Sequence, residues 1–148
     1  LVHNYAVSDS KERVKIPHYE NPNPGLTINS NSSNNYIEVE SVVIDDFLAQ
    51  NNISPDFIKI DIEGAEWKAL RGMKKTLEYK NATILVEIHV KKLRNDFNTD
   101  YKEIIKLLLD SGYTLKEINH RSVNGNMVII DIDTKLQGNT MILCTKSN

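Results

Sequence analysis

Phe57-Ile58-Lys59-Ile60-Asp61-Ile62-Glu63-Gly64-Ala65-Glu66 decides how this chain is read. Isoleucine at every second position marks a strand, because strand side chains alternate between faces. Ile58, Ile60 and Ile62 then share one face, and Lys59, Asp61 and Glu63 share the other. Gly64 permits a tight turn, and Glu66 falls in the first turn of a following helix. Strands of a parallel sheet covered by helices are apolar on both faces. Charge gathered at the carboxyl end of such a strand is where open α/β folds place their chemistry. The competing reading is an antiparallel strand with one wet face, leading into a helix whose acids favour its positive end.

A second strand favours the α/β reading. Thr83-Ile84-Leu85-Val86-Glu87-Ile88-His89-Val90 is rich in β-branched residues and too short for a typical helix. Glu87 and His89 lie on one face, with Ile84, Val86, Ile88 and Val90 on the other. Between the strands, Ala65 to Tyr79 reads as a helix with Trp67, Leu70, Met73 and Leu77 near helical spacing. Strand, helix and strand over about thirty residues make a βαβ unit, whose strands run parallel. Asp61, Glu63, Glu87 and His89 are therefore expected at one edge of the sheet.

The other elements are shorter. Leu1 to Ser8 reads as a strand, Glu12 to Ile16 as a second, and Tyr36 to Val43 as a third. Asn21 to Asn35, dense in Asn, Pro, Ser and Gly, reads as a long loop or hairpin tip. Asp45 to Gln50 reads as a short helix, with Asp45 and Asp46 as acids at its amino end. Asp100 to Ser111 is an amphipathic helix stopped by Gly112. Tyr113 to Ile118, Met127 to Ile132 and Thr140 to Thr145 read as strands, with an Asn124-Gly125 turn. Tyr36, Tyr101 and Tyr113 are expected to pack, and His3, His18 and His120 carry no assigned role.

With 148 residues, 40% of them apolar and 26% charged, the chain has the size and composition of one soluble globular domain. A net charge of −2 gives no reason to expect nucleic acid. Lys74-Lys75 and Lys91-Lys92-Leu93-Arg94 read as solvated helix or loop surface. No apolar run is long enough to cross a bilayer. The single cysteine, Cys144, excludes an intrachain disulfide or a zinc–cysteine cluster and favours a reducing compartment, the cytoplasm.

Ile58 to Glu66, followed by Leu70-Arg71-Gly72, resembles the FkbM family of S-adenosylmethionine-dependent methyltransferases. Ala6-Val7-Ser8-Asp9 resembles the end of that family's third strand, Val43 to Leu48 the lead into the helix before the fourth, and Leu85 to His89 the fifth. The resemblance covers Leu1 to Val90 well and the remainder in outline. It implies the class I methyltransferase fold: an α/β, Rossmann-like, mostly parallel sheet of strand order 3-2-1-4-5-7-6 with the last strand antiparallel. It also implies methyl transfer from S-adenosyl-L-methionine to an oxygen, often a hydroxyl on a sugar or a natural product, and so a small-molecule or glycan acceptor.

The chain departs from the family in one respect. Its six glycines form no G-x-G-x-x-G turn. Together with a start at Leu1, this leads us to expect a single partial domain over residues 1–148, from the third strand onward, without the first two strands. Residues 10 to 43 would be a loop or hairpin insertion. Such a fragment is expected to be inactive or nearly so by itself. The alternative is that the first segment closes against Phe57 to Ile62 in a smaller, rearranged sheet.

Methyl transfer to oxygen needs donor and hydroxyl in line and the hydroxyl's proton removed. Asp61 would support the sulfonium and position the acceptor. Glu63, Glu66, Glu87 and His89 are candidates for acceptor binding, with His89 the better general base. Lys59 would neutralise nearby acids and, with Glu66, contribute to substrate binding. By resemblance, Ala6, Ser8 and Asp9 would edge the adenine pocket. Two other readings use the same residues: a divalent-metal hydrolase on Asp61, Glu63, Glu87 and His89, or a non-catalytic remnant that binds a partner.

Overall fold

A computed structural model describes residues 1–17, 36–79, 81–118 and 127–146. The elements, in chain order, are β1 (Ala6–Val7), β2 (Arg13–Pro17), β3 (Tyr36–Val42), α1 (Ile44–Gln50), β4 (Phe57–Ile60), α2 (Glu66–Arg71) and α3 (Lys74–Tyr79). They continue with β5 (Thr83–His89), α4 (Val90–Phe97), α5 (Tyr101–Asp110), β6 (Thr114–Ile118), β7 (Met127–Ile130) and β8 (Asn139–Thr145).

Two sheets result. The larger has the order β4-β5-β8-β6-β7 and the smaller β1-β3-β2. The β4·β5 pair is parallel, with Phe57 opposite Thr83 and Ile60 opposite Val86. β8 runs antiparallel between β5 and β6. The run β4-β5-β8-β6 is the 4-5-7-6 order expected from the resemblance, with β7 added at the outer edge. β4 forms the opposite edge.

The sheet is mixed, which corrects the expectation of a mostly parallel one. Among the described residues, parallel pairing is confined to β4·β5 and β1·β3, whereas β2·β3, β5·β8, β6·β7 and β6·β8 are antiparallel. The first segment also differs. Only Ala6–Val7 is strand, and it pairs with β3, not with β4. Leu1 and Val2 are exposed, so nothing holds them in a ladder. The hairpin-tip reading of 21–35 and the Asn124-Gly125 turn lie outside the described residues.

The core lies between the large sheet and its helices. Ile84, Val86 and Ile88 of β5, Leu115 of β6 and Ile142 and Cys144 of β8 meet Leu70, Met73, Leu77, Ile104, Ile105 and Leu108. Full burial of one such aliphatic side chain contributes about 2 kcal/mol. Cys144 behaves as a small apolar residue, its thiol pushed up to about 12 by burial. Tyr101 and Tyr113 pack as expected, but Tyr36 is exposed and receives the Lys15 ammonium over its ring.

The helix expected over Ala65 to Tyr79 is two helices broken at Gly72-Met73. A Cβ on Gly72 would overlap the carbonyl oxygen of Ser8, so β1 rests directly on this backbone. Asp45 supplies the start of α3 across 30 residues of sequence. Its carboxylate accepts Lys75 N–H at 2.8 Å, Thr76 N–H at 2.9 Å and the Thr76 hydroxyl at 2.7 Å. This acid is thus more than a first-turn residue of α1. Of the helix or loop expected at Lys91 to Arg94, the structure has the helix: α4 follows β5 without a break, and it is not wholly solvated, since it buries Leu93 completely.

In urea unfolding, Asp45→Ala is expected to cost about 1 to 2 kcal/mol through the lost cap. Gly72→Ala is expected to cost about 2 kcal/mol or more, because the opposing atom is backbone and cannot step aside.

Candidate functional site

β4 and β5 end side by side because their parallel register places Ile60 next to Val86. One residue later, each chain presents an acid, Asp61 and Glu87. The β4 chain then turns sharply. Glu63 has φ +57° and Gly64 φ +109°, both left-handed. Gly64 suits this conformation, and a Cβ there would press on Lys92 Cβ at 2.9 Å and on the Phe97 ring. A left-handed glutamate is strained and is held by its surroundings.

His89 ends β5 and is 2% exposed. Its Nδ1 lies 2.8 Å from Glu66 Oε1. On the other side of the ring, Nε2 is 3.4 Å from Glu63 Oε2 and 4.0 Å from Glu87 Oε1. Asp61, Glu87 and His89 each bring one side-chain atom within 4.8 Å of the others. Two lysines balance the acids: Lys59 Nζ lies 2.9 Å from Asp61 Oδ2, and Lys92 Nζ lies 2.6 Å from Glu63 Oε2.

Burial pushes the pKa of His89 down, since a charged ring loses its hydration. The Glu66 hydrogen bond and the charges of Glu66, Glu63 and Glu87 outweigh this, and the net displacement is upward. The imidazole is thus held more readily in its charged form than a free histidine.

The expected convergence of Asp61, Glu63, Glu87 and His89 is therefore present, and Lys59 pairs with Asp61 as anticipated. Glu66 is a correction. It belongs to the cluster but has no solvent-exposed area, so it does not offer an oxygen to an acceptor. Ala6, Ser8 and Asp9 are not brought to the cluster. Ser8 is buried, and Asp9 pairs with Arg71 at 3.2 Å, at the end of α2 opposite Glu66. Five residues of helix separate those ends, roughly 8 Å of rise.

Lys92 was read as solvated surface and proves to be part of the cluster. Its signal was present but weak: three residues after His89, it faces the same way if a helix starts at Val90.

No described helix is long and apolar enough to cross a membrane. The family model of the methyltransferase FkbM domain matches residues 1–115. No curated protein and no solved structure matches the chain.

A group whose folded pKa is raised adds stability below its unfolded value and loses it as pH climbs through the folded one. Wild-type stability is therefore expected to decline as pH rises above about 6.5. Urea midpoints across this range should show the decline in the wild type and lose this component in His89→Asn.

Proposed function

Since the chain belongs to the FkbM methyltransferase family, we propose that it carries the acceptor-side residues of an S-adenosylmethionine-dependent O-methyltransferase acting on a hydroxyl of a sugar or other small molecule. The observation that carries this reading is the meeting of Asp61 from β4 with Glu87 and His89 from β5 at one rim.

The residues present suit the cationic end of S-adenosyl-L-methionine. Asp61, Glu63, Glu66 and Glu87 face Lys59, Lys92 and His89, which leaves the cluster with a net negative formal charge whether the ring is charged or neutral. When bound, the cofactor supplies an electrophilic methyl group on its sulfonium. Asp61, exposed at the strand end, provides electrostatic support and a hydrogen-bond acceptor for the incoming hydroxyl. Glu63 and Glu87 flank the same rim and orient that hydroxyl. His89, in its neutral form, takes the hydroxyl proton at Nε2.

The fit is limited to this end of the cofactor. No glycine-rich turn is present among the 148 residues, and of the proposed adenine-pocket residues Ala6, Ser8 and Asp9, the first two are buried. Cofactor binding by this chain alone is therefore proposed to be weak, and its catalytic activity low. Within the methyltransferase domain, the β2·β3 hairpin is proposed to be an insertion. Hydrolysis assisted by a divalent metal finds no support in the family, and Lys59 already neutralises Asp61.

Titration of the isotope-labelled chain with millimolar S-adenosylmethionine, followed by amide NMR, tests the reading. Shifts should concentrate at residues 61–66 and 87–89, and Asp61→Asn should weaken binding about tenfold, the loss of one charge-assisted contact. An undisturbed spectrum, or shifts confined to the small sheet, would refute the proposal.

A further inference from the structure

Glu66 is fully buried, yet it carries an ionisable carboxylate. Its Oε1 accepts the Gly64 backbone N–H at 2.8 Å and lies 2.8 Å from Nδ1 of His89. Its Oε2 has no hydrogen-bond partner among the described residues. A carboxylate oxygen already engaged as an acceptor is arranged to accept again, so the proton between it and the ring belongs on Nδ1. The bond on one ring nitrogen sets the state of the other.

We infer that Glu66 is a positioning residue, which fixes His89 in the tautomer protonated at Nδ1 and turns the Nε2 lone pair toward Asp61, Glu63 and Glu87. The use made of Nε2 rests on the methyl-transfer reading; the tautomer does not. With Nδ1 occupied, Nε2 is the ring atom that can receive a proton from an acceptor hydroxyl. The imidazolium so formed is stabilised from behind by the Glu66 charge, as in a carboxylate–histidine pair.

The charged groups facing the ring come from several elements. Glu66 belongs to α2, Glu87 to β5, and Glu63 to the turn after β4, where it is bridged to Lys92 of α4. Asp61, also after β4, is tied to Lys59. β8 approaches through Asn139, opposite His89 in the ladder and uncharged. Glu66 is the acid in direct hydrogen-bond contact with Nδ1, so its charge should dominate the titration of the ring. If Glu66 were only a tether between the turn and β5, a glutamine would serve equally well, because its amide oxygen can accept the same two bonds.

Nitrogen-15 NMR of the imidazole in the 148-residue chain, followed as a function of pH, separates these roles. In the wild type, the neutral ring is expected to carry its proton on Nδ1 and to leave Nε2 bare. In Glu66→Gln, the proton affinity of His89 is expected to fall about tenfold, because the stabilising charge is gone. A neutral wild-type ring protonated at Nε2 overturns the inference, as does a Glu66→Gln titration that overlays the wild type. If Glu66→Gln does not fold, the wild-type tautomer decides alone. Failure of S-adenosylmethionine to perturb the spectrum removes the transferase reading and leaves this measurement intact.

Discussion

A buried carboxylate and a buried imidazole, 2.8 Å apart, hold the working end of this protein together. Each would be expensive alone, since an unpaired ionisable group away from water carries a desolvation cost of several kcal/mol. Paired, they join the first residue of α2 to the last residue of β5. The same Glu66 oxygen accepts the Gly64 amide, so one side chain closes the turn after β4 as well. The left-handed Glu63 and Gly64 persist because this turn is fixed at both ends.

That fixture works only on a particular sheet. Parallel pairing of β4 and β5 puts two carboxyl ends at one rim, and β8 supports β5 from the other side. Ile84, Val86 and Ile88 anchor β5 in the core by alternate residues, which sends Glu87 to the other face. Hydrophobic burial thus determines where the acids emerge. α4 then begins immediately after His89 and brings Lys92 back onto Glu63. The rim that results is a compact arrangement of acids partly neutralised by lysines, in a chain that belongs to a methyltransferase family.

Much of this was legible in the sequence because alternation in a strand is a local property. The isoleucines of β4 and the β-branched run of β5 announced two strands, and the spacing between them announced the crossover. What failed was longer in range. Gly72 falls inside the single helix expected over Ala65 to Tyr79, and nothing nearby in sequence signals the Ser8 carbonyl that lies against it. Asp45 reads as an acid of its own helix until it is found capping another, 30 residues further on. β8 lies antiparallel between β5 and β6 and β7 adds a further antiparallel edge, while β2 and β3 pair antiparallel in a sheet of their own, so an arrangement expected to be mostly parallel is mixed.

By itself, the sequence determined the two central strands β4 and β5, the apolar face of β5, and that Asp61, Glu63, Glu87 and His89 meet at one sheet edge. Those facts follow from side-chain period and connection length. Only the tertiary structure decided that Glu66 lies behind His89 instead of beside an acceptor, and that Lys92 belongs to the cluster. The orientation of a helix start against a neighbouring strand depends on how the core packs. No local pattern encodes that packing, because the atoms that set it come from β5, β8 and α5 at once.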